Sequence, residues 1–219
     1  MIAVDAVLFD LDGTLVDSLP TIAEAMSTVL RTHGYAVDAA ALIPRIGPPM
    51  EVLARELGAP PEQAARINAE YLRLYHGGYI QRTPAHAGAA ALLDRLHAAG
   101  VALGVVTNKI EEGGQLMLAV QGWGDRFGVV VGRDTAGVAK PHAEAAWHAL
   151  RVLGVAPERA AIVGDTEFDM RCGRDAGLRY VIGLVGERDG ARLRAEGATH
   201  VVVSLDEIDP LLLGAGVPR

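Results

Sequence analysis

The 219-residue chain is long enough for one large core and a modest second module, and its apolar runs are strand-sized, far short of the roughly 20 residues that span a membrane. Its net charge of −7, with the basic residues scattered along the chain, argues against nucleic acid as a partner and requires that any anionic ligand be drawn in by a few local cations or a metal ion. Cys172 is the single cysteine, which excludes an internal disulfide and a cysteine-based zinc site and reads as a small buried hydrophobe. The first residues lack the basic start and long apolar segment of a secretory signal, so a cytoplasmic protein is expected. The run Ala6–Phe9 is continuously apolar and stops at Asp-Leu-Asp-Gly-Thr, the pattern of a buried parallel strand ending in a polar loop. Residues 19–82 hold no convincing strand and read as helices at 21–32, 51–57 and 62–79. Between them, residues 43–49 carry three prolines and a glycine and form a stiff loop that cannot be helical throughout.

From residue 87 onward strands and helices alternate. Apolar runs at 101–106, 127–131, 160–163, 180–182 and 200–203 are separated by helical stretches at 87–99, 111–121, 141–153, 168–176 and 189–196. Most of these helices are followed by a glycine, which supplies the left-handed residue that closes a helix. The fold class is therefore α/β: a doubly wound, mostly parallel, Rossmann-like sheet with a small helical module inserted after the first strand.

Four polar clusters punctuate this pattern: Asp10-Leu11-Asp12-Gly13-Thr14, Thr107-Asn108-Lys109, Lys140-Pro141, and Gly164-Asp165 through Asp169. Three of them follow strands, whose carboxyl ends line the ligand crevice of an open α/β sheet. A carboxylate at the end of a buried strand, Asp10, can act as a nucleophile towards a phosphoryl group. Clustered carboxylates repel a dianionic phosphate unless a hard cation bridges them, and Asp10, Asp12 and Asp165 offer the oxygen ligands that Mg²⁺ prefers. Thr107 can hydrogen-bond a phosphoryl oxygen, Lys140 can offset its charge, and main-chain N–H groups after Asp10 and Thr107, those of Leu11 and Asn108, can complete the cradle. Glu167, in the first turn of its helix, reads as a solvated carboxylate.

These motifs, over essentially the whole chain, resemble the haloacid dehalogenase superfamily and within it the phosphoglycolate-phosphatase-like branch; the signature runs from Asp10 to Ser18. The resemblance implies that Asp10 is the nucleophile and Asp12 the general acid/base. It also makes Asp10, the main-chain carbonyl of Asp12, and Asp165 the ligands of Mg²⁺, with Asp169 orienting groups around them. Residues 19–82 correspond to that family's helical cap, and 1–18 with 83–219 to its core. The acid at Asp12 argues for phosphate chemistry over dehalogenation, and the absence of lysine from 19–82 removes a Schiff-base mechanism in the cap. The expected activity is Mg²⁺-dependent hydrolysis of a small phosphate ester such as 2-phosphoglycolate by a monomer or homodimer. A sugar-phosphate phosphatase, a pyrophosphatase, a phosphomutase and a non-catalytic interaction protein are the alternatives. Arg45, the basic residue of the stiff 43–49 loop, is the candidate selector for a carboxylated substrate.

Overall fold

A computed structural model of the chain describes residues 3–135 and 137–213. The chain divides into two compact units, one holding the chain up to Val16 and from Ala85 onward, the other Asp17–Pro84.

The first unit is built on six strands: β1 (Ala6–Phe9), β2 (Ala102–Val106), β3 (Val129–Val131), β4 (Ala160–Gly164), β5 (Tyr180–Leu184) and β6 (His200–Val202). They form one sheet in the order β3-β2-β1-β4-β5-β6, and every pairing is parallel. β1 is buried at all four residues and lies between β2 and β4, so its pairing order reverses there and opens a crevice at the carboxyl ends. The second unit contains α1 (Leu19–Thr32), α2 (Ala39–Leu42), α3 (Met50–Glu56) and α4 (Pro61–Leu74). It packs its own core from residues such as Ile22, Leu30, Leu42, Ile67 and Ile80.

The sheet is flanked by α5 (Ala89–Ala98), α6 (Glu111–Val120), α7 (Glu144–Leu153), α8 (Glu167–Asp175) and α9 (Gly190–Ala195), with α10 (Ile208–Leu213) after the last strand. One face of the sheet is covered by Ala146, Ala149 and Leu150 of α7 and by Met170 and Cys172 of α8, all buried against Leu8 and Ile162. Cys172 is thus the buried hydrophobe its isolation in the sequence implied.

Three expected elements differ. The 62–79 helix ends at Leu74 and continues as a wider π turn over Tyr75–Tyr79, because Gly77-Gly78 leaves little side-chain constraint on the backbone. The helix expected from residue 141 begins at Glu144, residues 140–142 being spent on a turn in which the His142 N–H reaches Ala139 O. Residues 43–49 are not wholly irregular: Ile43–Arg45 makes one 3₁₀ turn, since Pro44 suits the first positions of a helical turn. The short α2 and α10 carry too few periodic residues to be read from the sequence. No helix among the described residues is long and apolar enough to cross a membrane.

Candidate active site

The loop after β1 folds back on itself around one carbonyl. Leu11 O accepts the N–H groups of Thr14, Leu15 and Val16, and Gly13 N–H reaches Val16 O at 2.9 Å. Gly13 has φ 78°, and a Cβ there would fall 2.4 Å from Asp165 Oδ2, so only glycine allows both the left-handed turn and the close approach of β4's loop. Thr14 closes the same junction by donating its hydroxyl to Asp165 Oδ1 at 3.0 Å.

Asp10, at the end of β1, is buried, and its described polar contacts fall on Oδ1: the Leu11 N–H at 2.7 Å and the Lys140 ammonium at 2.9 Å. Lys140 Nζ also donates to Asp169 Oδ1 at 2.6 Å. Asp169 Oδ2 in turn accepts the N–H and hydroxyl of Thr166, at 3.0 and 2.6 Å, which ties the start of α8 to the lysine. Lys140 is delivered by Asn108, whose amide clasps the lysine's main chain: Oδ1 accepts the Lys140 N–H at 3.0 Å and Nδ2 donates to its carbonyl at 3.4 Å. Thr107, at the end of β2, is buried and caps its own loop by accepting the Lys109 N–H at 3.2 Å. Asp12 is paired with Lys109, Oδ2 to Nζ, at 3.1 Å.

The electrostatics are those of a site holding more negative charge than its lysines offset. Asp10, Asp165 and Asp169 each present a carboxylate oxygen within 4.8 Å of the others. Together with Asp12 these carboxylates outnumber the two ammonium groups among them, Lys109 and Lys140. Burial, with Asp169 and Asp12 adding to it against the pull of Lys140, raises Asp10 to about 7. Burial and the charges of Asp169 and Asp10 likewise push Asp165 well above the usual carboxylate range. Burial alone would lower the Lys140 ammonium, but Asp10 and Asp169 outweigh it and raise its pKa. A divalent hard cation fits this donor set: it would cancel the excess charge with oxygen ligands already gathered.

The structure thus brings together Asp10, Leu11, Asp12, Thr107, Asn108, Lys140, Asp165 and Asp169. Arg45 belongs to the other unit, where its guanidinium is paired with Glu56 of α3. Glu167 departs from its reading as a solvated carboxylate: it is paired with Arg188 at 3.1 Å and Arg192 at 2.7 Å, beyond the reach of any local sequence signal. Lys109 was visible in the sequence only as a neighbour of Thr107 and Asn108; its contact with Asp12 emerges from the adjacency of β1 and β2.

Residues 7–182 match the family model of haloacid dehalogenase-like hydrolases. The chain belongs to the haloacid dehalogenase-like hydrolase family. Among haloacid dehalogenase-like relatives, a phosphoglycolate phosphatase of Xanthomonas campestris pv. campestris is 36% identical over 188 residues, 84% of this chain and 85% of its own length. A predicted phosphatase from Clostridium acetobutylicum has the same fold, with a TM-score of 0.85, 26% identity and coverage of 96% of this chain and 98% of its own. A haloacid dehalogenase family hydrolase from Deinococcus radiodurans, solved with bound phosphate and sodium, aligns with a TM-score of 0.75 and 29% identity over 99% of this chain and 98% of its own. The chain is accordingly an enzyme of the hydrolase class, and these haloacid dehalogenase-like relatives group it with the phosphoric monoester hydrolases.

Proposed function

We propose that the enzyme hydrolyses a small phosphomonoester such as 2-phosphoglycolate through an aspartyl-phosphate on Asp10. The observation that carries this reading is the state of the Asp10 carboxylate: Oδ1 is held by Leu11 N–H and Lys140, so Oδ2 is the oxygen with lone pairs to offer a phosphorus atom. In the first step Asp10 Oδ2 bonds to phosphorus as the ester P–O bond breaks, and Asp12 gives its proton to the departing oxygen. In the second step water bonds to phosphorus and Asp12 takes a proton from it. The acyl-phosphate P–O bond then breaks, which restores the Asp10 carboxylate and releases inorganic phosphate.

Lys140, fixed by Asn108 and Asp169, is a preorganised cation for the charge of the transferring group. Thr107 and the N–H groups of Leu11 and Asn108 are the proposed phosphoryl cradle. Asp10, Asp165 and the main-chain carbonyl of Asp12 would hold Mg²⁺, while Asp169, both oxygens engaged, orients Lys140 and Thr166. The metal would supply charge neutralisation between substrate phosphate and carboxylates. The unit Asp17–Pro84 is the proposed cap. A phosphoglycolate phosphatase relative at 36% identity supports the carboxylated substrate.

The test is a panel of phosphate esters and pyrophosphate assayed with Mg²⁺ and with chelator, using the wild type and Asp10→Asn. Phosphate release from 2-phosphoglycolate that needs Mg²⁺ and vanishes in the folded Asp10→Asn variant is expected. Turnover by that variant would overturn the covalent mechanism.

A further inference from the structure

The chain contains two lysines, Lys109 and Lys140, and its other basic side chains in the Lys and Arg class are all arginine. Both lysines lie at the same site, each within salt-bridge distance of one of the two aspartates of the loop after β1. An ammonium is a compact point charge on a slender stem, unlike the planar guanidinium fork. Lys140 serves Asp10; nothing in the reaction as derived above uses Lys109.

We propose that Lys109 is a positioning residue whose ammonium holds the Asp12 carboxylate in the orientation from which it protonates the leaving oxygen. The inference rests on the aspartyl-phosphate reading. Its support is geometric. The Lys109 side chain is only 12% exposed and that of Asp12 19%, so their 3.1 Å contact is shielded from the water and mobility that make surface pairs weak. Both ends are anchored. The Lys109 N–H is fixed on Thr107 Oγ1, and its carbonyl accepts the Arg133 N–H at 2.9 Å. The Arg133 guanidinium braces the neighbouring Asn108 carbonyl at 3.1 Å, and Asp134 Oδ1 accepts the Glu111 N–H at 2.8 Å, so the loop after β3 buttresses the loop after β2. On the other side, Asp12 is bridged to Val16 and followed by the Gly13 turn. Two rigid loops on hydrogen-bonded neighbouring strands therefore present a cation and a carboxylate to each other, which limits the rotamers open to Asp12.

A residue that works through the acid must share the acid's substrate dependence. The experiment compares kcat and KM on 2-phosphoglycolate, whose leaving oxygen needs a proton, and on p-nitrophenyl phosphate, whose leaving group departs without one. The variants are Lys109→Met, Lys109→Arg, Asp12→Asn and the double variant Asp12→Asn/Lys109→Met. For Lys109→Met the expected result is a kcat loss of at least about tenfold on 2-phosphoglycolate and under about threefold on the aryl ester, with KM little changed. The double variant should be no slower than Asp12→Asn alone, because the lysine has nothing left to position. Lys109→Arg, which keeps the charge should the methionine variant fail to fold, should show a smaller loss with the same substrate preference. Equal losses on both substrates, losses that multiply in the double variant, or an effect confined to KM for the carboxylated ester would each overturn the proposal, the last by making Lys109 a substrate-binding group. If Asp12→Asn itself fails to discriminate between the substrates, the acid role of Asp12 falls, and the failure lies in the underlying reading.

Discussion

The Lys140 ammonium lies 2.6 Å from Asp169 Oδ1, and neither side chain has appreciable contact with solvent. Removing one partner from such a pair strands a buried charge, which costs about 3–5 kcal/mol. Lys140→Met, which leaves Asp10 and Asp169 buried without their shared cation, is therefore expected to lower folding stability by roughly this amount, measured by urea denaturation, and to reduce kcat. Wild-type stability in that variant would mean that the pair contributes nothing to the folded state.

The excess of carboxylates at the site predicts that a divalent cation stabilises the fold. At a Mg²⁺ concentration of 100 times its Kd the gain is about 2.7 kcal/mol, or roughly 5–10 °C in Tm for a chain of this size. Differential scanning fluorimetry with and without Mg²⁺ reads this directly, and Asp165→Ala should abolish most of the shift. An unchanged melt in saturating Mg²⁺ would remove the metal site.

Arg45 ends a 3₁₀ turn and is paired with Glu56. If Arg45 selects a carboxylated substrate, Arg45→Ala lowers kcat/KM for 2-phosphoglycolate at least about tenfold, equivalent to about 1.4 kcal/mol, and leaves p-nitrophenyl phosphate nearly unchanged. Glu56→Ala, which frees the guanidinium, should not reduce 2-phosphoglycolate turnover. Parallel losses on the two esters would disqualify Arg45 as selector.

Burial pushes the Cys172 thiol up to about 12, and its Sγ faces the His142 carbonyl. Because the thiolate is the reactive form, the native enzyme should resist iodoacetamide at about pH 8 and incorporate one equivalent only in denaturant, as counted by mass spectrometry. Rapid labelling of the native protein at that pH would contradict the buried placement.

Most of this architecture was legible because its signals are local. Runs such as Ala6–Phe9 are apolar throughout, as a strand buried on both faces must be, and glycines such as Gly154 and Gly177 sit at left-handed turns after helices. The clustering of Asp10, Thr107 and Asp165 followed from strand ends sharing one edge of a parallel sheet. What escaped depends on partners distant in sequence. The side-chain amide of Asn108 clasps the Lys140 main chain, Glu167 gained two arginines from beyond β5, and Lys109 met Asp12 through strand pairing. The π turn at Tyr75–Tyr79 keeps its two tyrosines at helical spacing, so Gly77-Gly78 is its one mark in the sequence.

The central strand also dictates when the enzyme can come into being. β1 is synthesised first, yet its neighbours start at Ala102 and Ala160, and the last carboxylate of the cluster is Asp169. A nascent chain therefore carries Asp10, the proposed nucleophile, with neither flanking strand to bury it until Ala102 and with only one of the two until Ala160, and these distant pairings are of the kind that slow folding. On the proposed mechanism, catalytic competence cannot precede synthesis of the 165–169 segment, so activity appears late and abruptly rather than growing with chain length.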